Sequence, residues 1–237
     1  LDKATETVTI VKGSYGNREY KANWERRTYT VTIQGNGVTA DNYAPKYGDS
    51  VTLTIVDDPD ATLTSLTVNG VDVTGQVVGN KYVIENVSGD ITVEAAFRSI
   101  YEYITPATDM ATFSCPQDLN FTGSDLKAYI AAGYNKQEGE VLLVRVYDVP
   151  AGTGLVLKGE AGKTYKVPYA ESQSYFVNLL QAQLVAGTVE PTEGDWSNFL
   201  LRQSADDEFR FAAPETATRL AGQQAYLQVP TSFVDGG

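Results

Sequence analysis

"VTLTIVDDPDATLTSLTVNG", residues 51–70, decides the fold. On both sides of "DDPD", Thr alternates with Val, Leu and Ile at a period of two, the pattern of a strand with one face on a core. The Thr side (Thr52, Thr54, Thr62, Thr64, Thr67) is expected to face out and the apolar side in. Asn69-Gly70 ends the stretch as a type I′ hairpin turn, in which both central residues need positive φ. The same alternation recurs in "TVTIQGNGVT", "KYVIENVSGD" and "ITVEAAF", with a tight reversal expected at Gly89-Asp90. Residues 29–99 thus read as one small all-β unit of about five strands.

Past residue 99 the texture changes: Ala, Leu, Tyr and Gln become commoner and the loops longer. Strand candidates are "ATFSC", "LKAYIAAGY", "EVLLVRVYDV", "GLVLKG", "KTYKVPYA", "NLLQAQLV", "NFLLRQ", "EFRFAA" and "QAYLQVP". "DLKAYIAAG" also fits a short helix capped by Ser124 or Asp125 and ended by Gly133. A strand is preferred, because "NKQEGE" then makes a hairpin loop leading into 141–146. "AGTGLVLKG" (151–159), "AGQQAYLQV" (221–229) and the looser "AGKTYKV" (161–167) form a pseudo-repeat, a turn running into an apolar strand. The fold expectation is all-β with little helix: a small β-grasp-like or sandwich-like repeat domain at 29–99, then a larger sandwich or barrel-like domain at 100–237. Residues 1–28 hold two strand candidates around 13–17, too few to bury a core alone. They read as the tail of a truncated repeat. The chain starts with Leu1 rather than Met, so it is expected to be part of a longer repeat-containing protein.

Composition narrows the function classes. A net charge of −12 repels phosphate backbones and anionic membranes, which argues against nucleic acid as a partner. No apolar run approaches the roughly 20 residues of a membrane span. The chain has no His, the usual general base near neutral pH and the commonest transition-metal ligand. Its single Cys, Cys115, cannot form an intrachain disulfide and reads as a small core hydrophobe.

Three chemical readings compete. "LKGEAGKTY" (157–165) ends like a phosphate-binding loop, but that pattern needs a Gly where Leu157 stands. A strand comes next rather than a helix N-terminus, so the stretch reads as a hairpin: "GLVLK", turn "GEAG", "KTYKVPY", with Lys163 in solvent. The carboxylate clusters Asp57, Asp58, Asp60 and Asp206, Asp207, Glu208 lie between strand candidates, where Asp favours turns. Weak surface Ca²⁺ binding is their functional alternative, although neither has a calcium-loop spacing. Finally, Trp196 in the loop "EGDWSNF", with Tyr101, Tyr103 and Tyr134 near strand ends, could supply stacking surfaces for a sugar, or could cover the core or its seam. Trp24 reads as core. No catalytic constellation, cofactor site or metal site is assigned.

"VTIVKGSYGNREYKANW", with Gly13, Ser14, Gly16, Ala22 and Trp24, resembles the closing segment of the Listeria–Bacteroides type of internalin B-repeat. "YTVTIQGNG", "YGDSVTLT", "SLTVNGVDVT" and "YVIENVSGDITVEAAF" are similar to the divergent bacterial repeat that often follows it. "VPAGTGLVLKGEAGKTYKVP" and "AGQQAYLQVP" look like a C-terminal module of Bacteroidetes surface proteins. The resemblance implies a secreted, cell-surface, multi-domain protein discussed among adhesins, non-enzymatic, whose partner is a protein or glycan on host or neighbouring cells. It also implies an export signal and an anchor outside this chain. A carbohydrate-binding module of a larger surface protein is the alternative. The family offers no agreed ligand residues to carry over.

Overall fold

The computed structural model describes residues 11–17, 19, 25–206 and 208–234. The turn at 13–16 is among them, with Ser14 Oγ donating to the Val11 carbonyl at 2.7 Å. The strands expected on either side of it, with Ala22 and Trp24, lie outside the described residues, as does Asp207. The chain divides into two compact units, Leu1–Asp57 with Ser65–Ala96, and Asp58–Thr64 with Phe97–Gly237.

The strands of the N-terminal part are β1 (Val31–Gln34), β2 (Val38–Ala40), β3 (Val51–Ile55), β4 (Ala61–Val68), β5 (Val71–Asp72), β6 (Lys81–Ile84) and β7 (Ile91–Ser99). They form two sheets, ordered β1-β7-β4-β5 and β2-β3-β6. Val31, Leu66, Ile91 and Val93 of the first sheet and Val38, Val51, Leu53 and Ile55 of the second are buried. Thr62 and Thr64 are exposed and Thr52 and Thr54 half-buried, whereas Thr67 departs from the expectation: its hydroxyl is buried rather than facing out. Seven strands replace the expected five or so, for local reasons. Gly35 and Gly37, at φ +93° and +83°, split "TVTIQGNGVT" into β1 and β2. The turn at Asn69-Gly70 (φ +50° and +77°) creates β5 by pairing Val68 with Val71, as a type I′ turn requires.

Gly89-Asp90 makes no hairpin. β6 pairs with β3, whereas β7 runs parallel to β1, so the segment between them crosses from one sheet to the other. Asp90 secures that crossing by accepting the Thr30 N–H at 2.9 Å.

The larger unit is built from β8 (Tyr101–Ile104), β9 (Met110–Phe113), β10 (Leu119–Asn120), β11 (Lys127–Asn135), β12 (Glu140–Val146), β13 (Asp148–Val149), β14 (Leu155–Lys158) and β15 (Tyr165–Pro168). It continues with β16 (Leu180–Gln183), β17 (Gly187–Val189), β18 (Thr192–Glu193), β19 (Trp196–Gln203), β20 (Phe209–Ala212), β21 (Thr218–Leu220) and β22 (Gln224–Pro230), and a single short turn of helix, α1 (Thr231–Val234), closes it. The fold is all-β. "DLKAYIAAG" is strand β11, and its hairpin to β12 pairs Asn135 with Glu140.

The sheet β12-β11-β14-β9 lies between two cores. Leu155 and Leu157 join Phe121, Leu126 and Val167 in one core, and Val156 joins Leu180, Leu227 and Val229 in the other. With both faces covered, β14 is an unbroken apolar run rather than an alternating one. Cys115 sits in the first core, and burial pushes its thiol pKa up.

The expected hairpin across "GEAG" does not form. β14 has β11 on one edge and β9 on the other, so β15 pairs with β8 instead. The turn between them is tightly packed: an added Cβ at Gly159 would meet Leu126 Cδ1 at 2.7 Å.

Candidate functional site

A groove of about 360 Å³ opens between the central sheet and the β19 layer. Its floor is Leu227 and Val229 of β22, and one wall is Tyr134 of β11 with Val141 and Leu143 of β12. The other wall carries Phe199 and Leu201 of β19 and Phe209 and Phe211 of β20. Met110 also lines it, and Glu140 and Arg210 supply charges of opposite sign.

Local sequence explains the convergence. β11 carries a bulge at 131–133, where the register against β12 shifts by one residue. A bulge puts an extra residue into one strand of a pair and re-aims the side chains beyond it, and here Tyr134 packs with Tyr129 and Ala131 on the β22 side. On the other edge of β11 the pairing with β14 ends at Tyr129, and beyond it the Ala131 N–H donates to Asn178 Oδ1 at 3.0 Å. Asn178 Oδ1 also accepts the Leu180 N–H, and its Nδ2 donates to the Gly154 carbonyl at 2.8 Å. One side chain therefore ties β11, the start of β14 and β16 together. In β20, "FRFA" puts Phe209 and Phe211 on one face, with Leu201 opposite Phe211 across β19.

The four aromatics singled out from the sequence fall into three settings. Tyr134 is in the groove. Trp196 starts strand β19 rather than sitting in a loop; it is 42% exposed and stands opposite Pro230 of β22 and Glu193 of β18. Tyr101 and Tyr103 are together on β8, where Lys166 Nζ lies 5.2 Å and 5.9 Å from their ring centroids. Lys166 also pairs with Asp60, and Tyr103 OH donates to the same Asp60 oxygen at 3.2 Å. The Lys166 hydrogen bond holds the Asp60 carboxyl below its ordinary pKa, and that same bond raises Lys166. Burial, then the Asp60 charge, raises the Tyr103 phenol. These two rings thus serve an ion-pair cluster. Phe199, Phe209 and Phe211 were not singled out from sequence, although the two-residue spacing of "FRF" was the signal available.

The remaining motifs resolve into turns. Around "GEAG", the N–H groups of Glu160, Ala161, Gly162 and Lys163 donate to Tyr165 OH, Asp109 Oδ1, the Pro106 carbonyl and the Glu160 carbonyl. All four donors that could cradle a phosphate have protein acceptors. Lys163 lies 5.1 Å from the Tyr165 ring centroid and 4.0 Å from Asp125, with its side chain half exposed. Asp58 Oδ1 accepts the Asp60 N–H at 2.9 Å, a local Asx turn. Among the described residues, no three of Asp, Glu, Cys or His converge as a metal site would require, and no helix is long and apolar enough to cross a membrane.

No protein family, curated protein or solved structure matches this chain.

Proposed function

We propose that this chain is a non-enzymatic, extracellular interaction and spacer segment of a bacterial cell-surface protein, adhesin-like in role, with the aromatic groove as its binding surface. The observation that carries the reading is the groove. Its two walls come from separate sheets, and it offers aromatic and aliphatic surface with one charge of each sign at Glu140 and Arg210. Such a surface suits an apolar side chain or the apolar face of a partner, with the polar groups setting orientation. The resemblance to internalin-type and divergent bacterial repeats supports the surface setting. Beads coated with the chain should adhere to host epithelial cells above albumin-coated beads; adhesion at the albumin level contradicts the reading.

A second reading, a carbohydrate-binding module, is favoured by the exposed Trp196 ring at the start of β19. A glycan array decides between the two. Binding abolished by Trp196→Ala and kept by Tyr134→Ala selects the second reading, whereas a silent array beside adhesive beads selects the first.

A further inference from the structure

Beside the groove, β19 and β22 part company at an opening that shares Leu201 with it. They pair from Trp196 with Pro230 to Phe199 with Leu227, after which β22 continues against β16 alone. The opening is a cleft of about 260 Å³ into which β21 contributes Thr218 and Arg219. Arg202 of β19 also lines it, beside Thr112 of β9 and Gln224 of β22.

Its charge is out of keeping with the chain. Acidic residues outnumber basic ones by 30 to 18, yet among the described residues no carboxylate lines this cleft and two arginines do. Arg210, which lines the groove, stands directly opposite Arg202 across β20 and β19. Like charges in directly opposed positions destabilise a strand pair. Opposition alone marks nothing, since Lys127 faces Lys158 across β11 and β14. Arg202 differs because it shares a concave site with Arg219. Among the described residues, the ion pairs are Arg26–Asp49, Lys163–Asp125 and Lys166–Asp60, and none involves Arg202, Arg210 or Arg219. Gln224 Oε1 accepts the Ala221 N–H, which leaves its amide nitrogen as a further donor.

We propose that this cleft is an oxyanion site, in which the Arg202 and Arg219 guanidinium groups hold a carboxylate or sulfate group of a ligand. Guanidinium forks match the geometry of such groups through paired N–H···O bonds. A bound anion also offsets the repulsion between Arg202 and Arg210. The inference does not depend on the cell-surface reading, because it rests on Arg202 and Arg219, neither of which lines the groove.

The test is thermal denaturation and calorimetric titration of the whole chain at low ionic strength, where surface charge is least screened. The probes are sodium sulfate and sodium glucuronate, with sodium chloride at matched ionic strength and neutral glucose as controls. The expected result is a saturable rise in Tm with one or both anions beyond the chloride control. Sulfate alone or glucuronate alone identifies which group the site takes. Arg202→Gln/Arg219→Gln should bind at least tenfold more weakly with an unchanged circular dichroism spectrum, and Lys158→Gln should bind like wild type. Arg202→Gln alone should raise Tm in the absence of added anion. Amide NMR shifts on titration should centre on Thr112, Thr218 and Gln224, a readout that needs no variant to fold. Equal anion response in wild type and the double variant, or no response beyond chloride, overturns the proposal.

Discussion

Thr67 is a β4 residue whose hydroxyl is buried with no hydrogen-bond partner among the described residues. An unsatisfied buried hydroxyl carries its desolvation cost uncompensated, whereas an apolar group of the same shape does not. Thr67→Val should therefore raise stability by about 1 kcal/mol in urea denaturation; a loss of stability would show that the hydroxyl is satisfied. Asn178 is the opposite case, bonded through both ends of its amide. Asn178→Leu leaves the N–H of fully buried Ala131 without its acceptor, and should cost about 1–3 kcal/mol in the same measurement.

Asp60 and Lys166 give a pH signature. The folded Asp60 pKa lies below its ordinary 3.8, so its contribution is complete above that value and is lost as pH falls through the folded pKa. The folded Lys166 pKa lies above its ordinary 10.5, so its contribution is complete below that value and is lost as pH rises through the folded pKa. Asp60→Asn removes both contributions. Its Tm should lie below the wild-type value near neutral pH, and the two should converge at the acid and alkaline extremes. A constant offset across the whole range would contradict the pairing.

At the scale of the element, strands with one solvated face were legible because their side chains alternate. Period, turn residues and loop length suffice for β3, β4 and the β11–β12 hairpin. Strand partners were less legible, because pairing is non-local. "LVLK" gives nearest-neighbour reasoning no warning that β11 and β9 occupy both its edges. Its unbroken apolar run was the one local sign of a central strand, and a central strand has no free edge for the next segment to join. The pseudo-repeat shows the same limit. All three copies are turns into strands, but positive φ falls on Gly152 and Gly162 in two copies and on Gln223 in the third. There Gly222 answers a different need, since an added Cβ would meet the Leu184 carbonyl oxygen at 2.9 Å. Gly154, just before β14, is under the same pressure: an added Cβ would lie 2.8 Å from the Leu180 carbonyl oxygen. Gly154→Ala should push β16 away from the central sheet and cost about 1–3 kcal/mol. A Tm within a degree of wild type would show that the layers yield freely there.

At the scale of the whole molecule, one wall of the groove comes from the β11–β12 hairpin and the other from β19 and β20, distant in sequence. Tyr134 was legible as an aromatic near a strand end. Phe199, Phe209 and Phe211 were not, because single strands gave no sign that their apolar faces would meet across a gap rather than close into a core. The most direct test of the functional reading is adhesion of beads carrying Tyr134→Ala/Phe211→Ala beside wild-type beads on host epithelial cells. With circular dichroism unchanged, about tenfold fewer beads should adhere for the variant, the order of loss expected when buried aromatic anchors are removed. Equal adhesion of the two would contradict the assignment of the groove as the binding surface.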